Sequence, residues 1–130
     1  MGVSGGKDSL VLLEALALYR KFSPHPFELG AITVSMGLEP FDLSGVAALC
    51  AVPYHVEKTQ IGRIVFEERK EPNPCALCAK MRRGALAATC SRLGYGKLAL
   101  GHHRDDALET LVMSALFEGR IHTFHPITRL

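Results

Sequence analysis

Gly2-Val3-Ser4-Gly5-Gly6-Lys7-Asp8-Ser9, running into Leu10-Val11-Leu12-Leu13, joins a strand stub to a helix through a glycine-rich turn. Glycines let backbone N–H groups close on an anion, and a helix N-terminus favours negative charge, so this junction reads as a phosphate site. It is not a Walker loop. Gly2 and Gly6 are separated by three residues where that loop has four, and Lys7 is followed by Asp8 where a metal-binding hydroxyl belongs. The dinucleotide pattern G-x-G-x-x-G is absent too. What remains is S-G-G-K-D-S, Ser4 to Ser9, opening a stretch that is apolar from Leu10 to Leu18 except at Glu14. Such a stretch suits a crossover helix packed on a sheet.

Strands and helices alternate outward from this junction. Leu29-Gly30-Ala31-Ile32-Thr33-Val34 reads as a buried strand, and Tyr54-His55-Val56 and Leu98-Ala99-Leu100 as shorter ones. Asp42 caps a helix with Leu43, Val46, Ala47 and Leu49 on its inner face; Thr59 caps another that uses Ile61, Ile64 and Val65. Charged residues from Glu67 to Glu71, then Pro72-Asn73-Pro74, mark an exposed break. Cys75 to Leu93 is a helix with Leu77, Met81, Ala85 and Ala88 at helical spacing, ended by Gly94. The last helix places Leu108, Leu111, Val112, Ala115 and Leu116 on one stripe before Gly119. The alternation predicts an α/β fold: a three-layer αβα arrangement around an open parallel sheet, wound right-handedly.

The chain has 130 residues, 48% of them hydrophobic and 22% charged, which is one domain's worth of polymer. No apolar run approaches the length of a membrane span, and Met1 to Gly6 lacks the basic start and apolar core of a secretory signal. A cytoplasmic chain with no membrane partner is expected. Net charge is +2, from 15 basic and 13 acidic residues. Lys80, Arg82, Arg83, Arg92, Lys97, His102, His103 and Arg104 follow one another with no acid before Asp105 and Asp106. A solvated helix face and a nucleic-acid footprint both account for such a run.

Of the four cysteines, Cys75 and Cys78 stand one helical turn apart, a spacing that suits a metal, an iron–sulfur cluster or a redox disulfide. Cys50 and Cys90 sit among Ala and Leu and read as ordinary buried thiols. Gly101-His102-His103-Arg104-Asp105-Asp106 follows the last strand and starts a helix, the position at which open α/β sheets bind ligands. Acids in a first helical turn also serve the helix dipole.

The hexapeptide Ser4–Ser9 is the hallmark of the PP-loop ATP pyrophosphatases, and this chain resembles them closely. With Cys75-Ala76-Leu77-Cys78, Arg82-Arg83-Gly84 and the G-H-x-x-D-D element Gly101–Asp106, it resembles the tRNA 2-thiocytidine synthetases over Gly2 to at least His125. The resemblance implies an adenine nucleotide alpha hydrolase-like fold and a single PP-loop domain over 1–130, read as incomplete at both ends. It implies ATP held by Ser4, Gly5, Gly6, Lys7, Asp8, Ser9, Gly101, His102, Asp105 and Asp106. Within that set Lys7, Asp8 and Asp105 would be catalytic: Lys7 neutralises phosphate, Asp8 orders the loop or helps hold Mg2+, and Ser4 and Ser9 donate hydroxyls. Cys75 and Cys78 would ligate a [4Fe-4S] cluster; Lys80, Arg82, Arg83 and Arg104 would contact tRNA phosphates.

The implied chemistry is adenylation of a cytidine in the anticodon loop, releasing pyrophosphate, followed by displacement of AMP by sulfur. The sulfur donor would be a cysteine desulfurase or free sulfide, and a homodimer is one option for the assembly. Three departures stand against this pattern. Ser35 occupies the place where the family has Asp near the adenosine, the stretch from Leu49 to Pro53 is short, and the third cluster cysteine falls beyond Leu130. The isolated chain is therefore expected to bind ATP weakly and not to thiolate tRNA. The rival readings are a non-catalytic nucleotide- or metal-binding remnant and another PP-loop enzyme such as a lysidine synthetase, which the C-x-x-C pair disfavours.

Overall fold

In the strand Ala31–Ser35 (β1) four consecutive residues, Ala31, Ile32, Thr33 and Val34, are buried, as a parallel strand covered on both faces requires. The computed structural model describes residues 1–37, 42–69 and 74–127. β1 pairs in parallel with Tyr54–Lys58 (β2), in register from Ala31 opposite Tyr54 to Ser35 opposite Lys58. On its other side β1 takes the amino-terminal stub: Gly2 bridges Ile32 in parallel, and Val3 N–H donates to the Ile32 carbonyl at 2.8 Å.

The expected strand over Leu98–Leu100 shrinks to one contact, Gly2 N–H donating to the Ala99 carbonyl at 2.9 Å. The approach at Gly2 is close, since a Cβ there would sit 2.8 Å from Leu100 Cδ2 and 3.2 Å from Leu86 Cδ1. Three parallel segments thus lie side by side, two of them regular strands, with Ala99 bonded to the outer side of the stub.

Helices cover both faces of this sheet. Lys7–Tyr19 (α1) buries Ser9, Leu13 and Ala17, one residue per turn on a single stripe. Leu13 and Ala17 pack with Met1, Val3, Leu29, Ala31 and Val52, joined by Val46 of Ser44–Leu49 (α2) and by Leu43, its N-cap. On the opposite face Val34 packs with Ile61 and Val65, then with Leu77, Cys78, Met81, Ala85 and Leu86 of Pro74–Arg92 (α4). Ile61 opens the short helix Ile61–Arg63 (α3), which widens into a π-helical segment over Ile64–Arg69. The expected α/β layering follows from this division of the core.

Several local expectations need correction. Leu49 is 89% exposed rather than inward, because α2 is only six residues long and ends beside it. Asp42 precedes the helix by one residue more than a cap does, its carboxylate accepting from Ser44 N–H and Oγ, both at 2.8 Å. Glu67 to Arg69 belong to the π segment rather than to a break. Residues 70–73, the rest of that expected break, lie outside the described residues, and Pro74 occupies the first position of α4, where a missing N–H costs nothing.

β2 is tied to α4 by Glu57, whose Oε2 accepts from Thr89 Oγ1 at 3.0 Å and from Arg92 Nη2, with His55 Nε2 at 3.4 Å. The Thr89 hydroxyl first, then the Arg92 guanidinium, hold the Glu57 carboxyl below the usual glutamate range.

Gly101–Leu130 forms a second compact unit. Its helix Arg104–Met113 (α5) continues as a π-helical segment over Ser114–Glu118 and ends at Gly119. The following segment folds back on it: Thr123 Oγ1 donates to the Ala107 carbonyl at 2.9 Å, and the buried Ser114 Oγ accepts from His122 N–H at 3.2 Å. The stripe expected to be buried is not: Leu108 is 51% and Leu116 73% exposed. A lone helix has little within its own unit to cover such a stripe, and the wider π turn carries Leu116 out of the 3.6-residue register. No helix among the described residues is long and apolar enough to cross a membrane.

Candidate functional site

The Ser4–Ser9 loop is organised around one buried hydroxyl. Ser9 Oγ donates to the Gly6 carbonyl at 2.8 Å and accepts from Ser4 N–H and Ser4 Oγ, both at 3.3 Å. Gly5 takes φ 81°, a left-handed conformation that favours glycine, and this turns the chain from the stub into the helix. Gly6 is the N-cap in extended conformation, and Lys7 and Asp8 stand exposed in the first turn. The first N–H groups of a helix have no intrahelical acceptor, so the turn presents backbone donors, with Lys7 exposed in the same turn. Ser4 and Ser9, expected to offer hydroxyls to phosphate, direct those protons into the loop itself.

This loop leaves the sheet at the carboxyl edge, where β1 and β2 also end. At the end of β1 the Ser35 carbonyl accepts from Thr59 N–H at 3.0 Å and Thr59 Oγ1 at 2.7 Å, while Ser35 Oγ accepts from Gly37 N–H at 3.4 Å. Met36 follows, and its Sδ receives the Cys78 thiol at 3.4 Å. The C-x-x-C pair is thereby brought to the same edge of the sheet as the loop. Cys75 is exposed and Cys78 half-buried, both free thiols on the first turns of α4.

Cys90 is buried, its Sγ 3.5 Å from the Tyr95 and Lys97 carbonyls. It lies twelve residues along α4 from Cys78, about 18 Å at the helical rise, and shares no site with it. Cys50, expected mid-helix, is the half-buried C-cap of α2. Among the described residues no three of His, Cys, Asp and Glu converge as a metal site.

Of the basic residues, Lys80 and Arg83 are exposed on α4 and Arg82 is half-buried. With Ala76, Ala79, Gly84 and Ala87, Lys80 and Arg83 line an open depression of about 540 Å³. Arg92 is engaged with Glu57.

The G-H-x-x-D-D element belongs to the second unit. His103 is the N-cap of α5: its Nδ1 accepts from Asp105 N–H at 3.2 Å, and Asp106 Oδ2 accepts from His103 N–H at 2.7 Å. Asp106 is therefore a capping carboxylate, and Asp105 is exposed with Arg104 Nε 3.9 Å from its Oδ1. The His102 ring lies 5.5 Å from that of Phe124, and Gly101 is half-buried ahead of them.

Sequence reasoning missed two of these roles. His is no usual cap, although an acid three residues after it is the capping-box spacing. Met36 carries no local signal, and Met81 was legible only as one of the apolar positions along the helix.

A family model for the PP-loop domain matches residues 1–123. The chain is 40% identical over 128 residues to the tRNA-cytidine(32) 2-sulfurtransferase of Verminephrobacter eiseniae, covering 95% of this chain and 40% of that protein. Proteins of the same name from Geobacter sulfurreducens and Pelobacter propionicus are 37% and 38% identical, over 97% and 93% of this chain and 51% and 46% of theirs. The chain thus spans about half the length, or less, of these curated relatives. A loop of this build on an α/β sheet, inside a family match that runs over residues 1–123, means that the chain belongs to the PP-loop domain family, with its adenine nucleotide alpha hydrolase-like fold.

Proposed function

We propose that this chain carries the ATP-activating and thiol-bearing part of a tRNA-cytidine 2-sulfurtransferase acting in the cytoplasm. The observation that carries the reading is the placement of the S-G-G-K-D-S loop and the C-x-x-C pair at one edge of one sheet, in a chain whose curated relatives bear that name. In this reading the cytidine C2 oxygen attacks the α-phosphorus of ATP, forming an adenylate as pyrophosphate leaves. Sulfur then bonds to C2 and the C2–O bond breaks, releasing AMP.

Lys7 and the N–H groups opening α1 take up the charge of the leaving pyrophosphate. Ser9 keeps the loop in shape through Ser4 and Gly6, while Gly5 lets the backbone turn. Asp8, exposed in the first turn of α1, orders the loop or helps hold Mg2+. Within the second unit, Gly101, His102 and Asp105 are the residues assigned to the nucleotide, and Asp106 sets the first turn of α5. Lys80, Arg82, Arg83 and Arg104 bind tRNA phosphates, a salt-sensitive contribution.

Two thiols one turn apart fit two ligands of a [4Fe-4S] cluster, and a cluster with an open iron needs a third in addition to them. Such a cluster would present the sulfur that a cysteine desulfurase or sulfide supplies. A homodimer sharing one cluster would use all four thiols as ligands and leave no iron open. Ser35 favours the alternative, a nucleotide-binding protein without turnover.

The test is a tRNA-dependent product assay joined to equilibrium ATP binding. Any turnover yields AMP and pyrophosphate, and Lys7→Ala weakens ATP binding without unfolding the chain. ADP and phosphate as sole products, or ATP binding indifferent to Lys7→Ala, overturn the reading.

A further inference from the structure

Among the described residues β2 is an outer strand, with β1 as its one strand neighbour. Its inward groups are engaged. The Pro53 carbonyl accepts from Ala31 N–H at 2.8 Å, and Thr59 N–H donates to the Ser35 carbonyl at 3.0 Å. By strand alternation Pro53, His55, Glu57 and Thr59 therefore turn their backbone groups toward β1. The N–H and C=O groups of Tyr54, Val56 and Lys58 point the other way, and no backbone group among the described residues meets them. Such a row is a template for another strand unless something blunts it. These five residues hold no Pro, and their pairing with β1 runs in register without a bulge.

The edge is complementary to itself. A two-fold axis lays β2 antiparallel against its own copy, and the residue on the axis decides what faces what. With Val56 there, all three outward residues find partners: Val56 faces Val56, Tyr54 faces Lys58 and Lys58 faces Tyr54, each pair exchanging both backbone hydrogen bonds. His55 then stands opposite Glu57 of the copy, on the face where Glu57 already meets Thr89 and Arg92 of α4. Facing side chains of this kind have Cβ atoms about 5 Å apart, and opposite charges there are favourable. Centring on His55 instead sets histidine against histidine, and centring on Glu57 sets carboxylate against carboxylate; each forms fewer backbone bonds. Tyr54, whose hydroxyl accepts from Leu43 N–H at 3.2 Å, offers a fixed ring to the aliphatic stem of Lys58.

We propose that this chain self-associates through the outer edge of β2, antiparallel to the same edge of a second copy, with Val56 on the two-fold axis. The pairing continues the sheet from one copy into the other and uses none of the four cysteines. It does not rest on the thiolation reading. The phosphate loop follows the stub on the far side of β1, so the dimer leaves it open and forms with or without ATP.

Sedimentation velocity of the full chain over a rising concentration series is expected to show monomer and dimer in exchange. Val56→Pro is compatible with the fold, because it removes only an outward N–H and edge strands accept proline at such positions. It deletes the two central hydrogen bonds and weakens the dimer about tenfold or more. Engineered thiols read the register separately. Val56→Cys sets two thiols on facing positions with Cα atoms about 5.5 Å apart, within disulfide reach. Lys58→Cys replaces a more exposed residue, yet its two copies lie four positions out of register, roughly 14 Å apart. Mild oxidation and peptide mass spectrometry are expected to find a link at position 56 and none at position 58. A wild type that stays monomeric at every concentration overturns the proposal, as does Val56→Pro dimerising like wild type. Lys58→Cys linking as readily as Val56→Cys overturns the register and the two-fold axis with it.

Discussion

Ser9→Ala removes the hydroxyl that holds the phosphate loop together. In the wild type Ser9 Oγ is buried and serves three contacts, donating to Gly6 and accepting from Ser4 N–H and Oγ. Not all are lost at full cost. The Gly6 carbonyl keeps the Leu10 N–H at 3.2 Å, and Ser4 is exposed, so its N–H regains water. The net loss is thus that of one to two ordinary hydrogen bonds, about 1–2 kcal/mol. For a chain of this length that lowers the melting temperature by roughly 4–8 °C.

Ser4→Ala gives up only one long, partly buried contact from an exposed residue and costs below about 0.5 kcal/mol. The double variant costs no more than Ser9→Ala alone, because both substitutions break the same contact. Thermal and urea unfolding followed by far-UV circular dichroism measures all three. A Ser9→Ala protein that melts with the wild type but no longer binds ATP would falsify the internal role and make Ser9 a direct phosphate ligand.

Glu57, held below the usual glutamate range by Thr89 and Arg92, stabilises the fold at pH values above about 4.5, and that contribution disappears as pH falls through its lowered value. Wild type therefore loses more stability than Glu57→Gln on acidification below that point; parallel stability–pH curves would contradict the link between β2 and α4. After anaerobic reconstitution, cluster absorbance is expected to vanish in Cys75→Ser and Cys78→Ser and to persist in Cys50→Ala and Cys90→Ala, and equal loss in all four would end the division between ligands and packed thiols. Asp106→Ala uncaps α5 at a cost of about 1 kcal/mol, seen as faster amide exchange in its first turn, while Asp106→Asn keeps an acceptor and most of the protection. Unchanged exchange in Asp106→Ala would show that the bond to His103 N–H does not hold the turn.

What the sequence disclosed was what short-range chemistry encodes. Ser4–Ser9 is legible because a phosphate loop must place two glycines, a lysine and a helix start in consecutive positions. The unbroken Ala31–Val34 run is legible because a strand covered on both faces has no polar side. Contacts between elements carry no such local mark. Glu57 meets Thr89 and Arg92 across more than thirty residues of chain, and each of the three would be unremarkable on an exposed surface. The π-helical segments at Ile64–Arg69 and Ser114–Glu118 are hidden for a different reason: a 3.6-residue template assigns them a helix and gets the facing wrong by the last turn.

Met36 and Cys78 show why this limit matters for function. Helical spacing alone marks two thiols, and a parallel sheet then sets a third sulfur against one of them from forty-two positions away. Topology makes such a contact: the parallel crossover returns every strand end to one edge, so the residue that follows β1 is carried toward the first turns of α4. No local pattern around Met36 could announce it, because the contact exists only once β1 and α4 have packed through Val34, Leu77 and Met81.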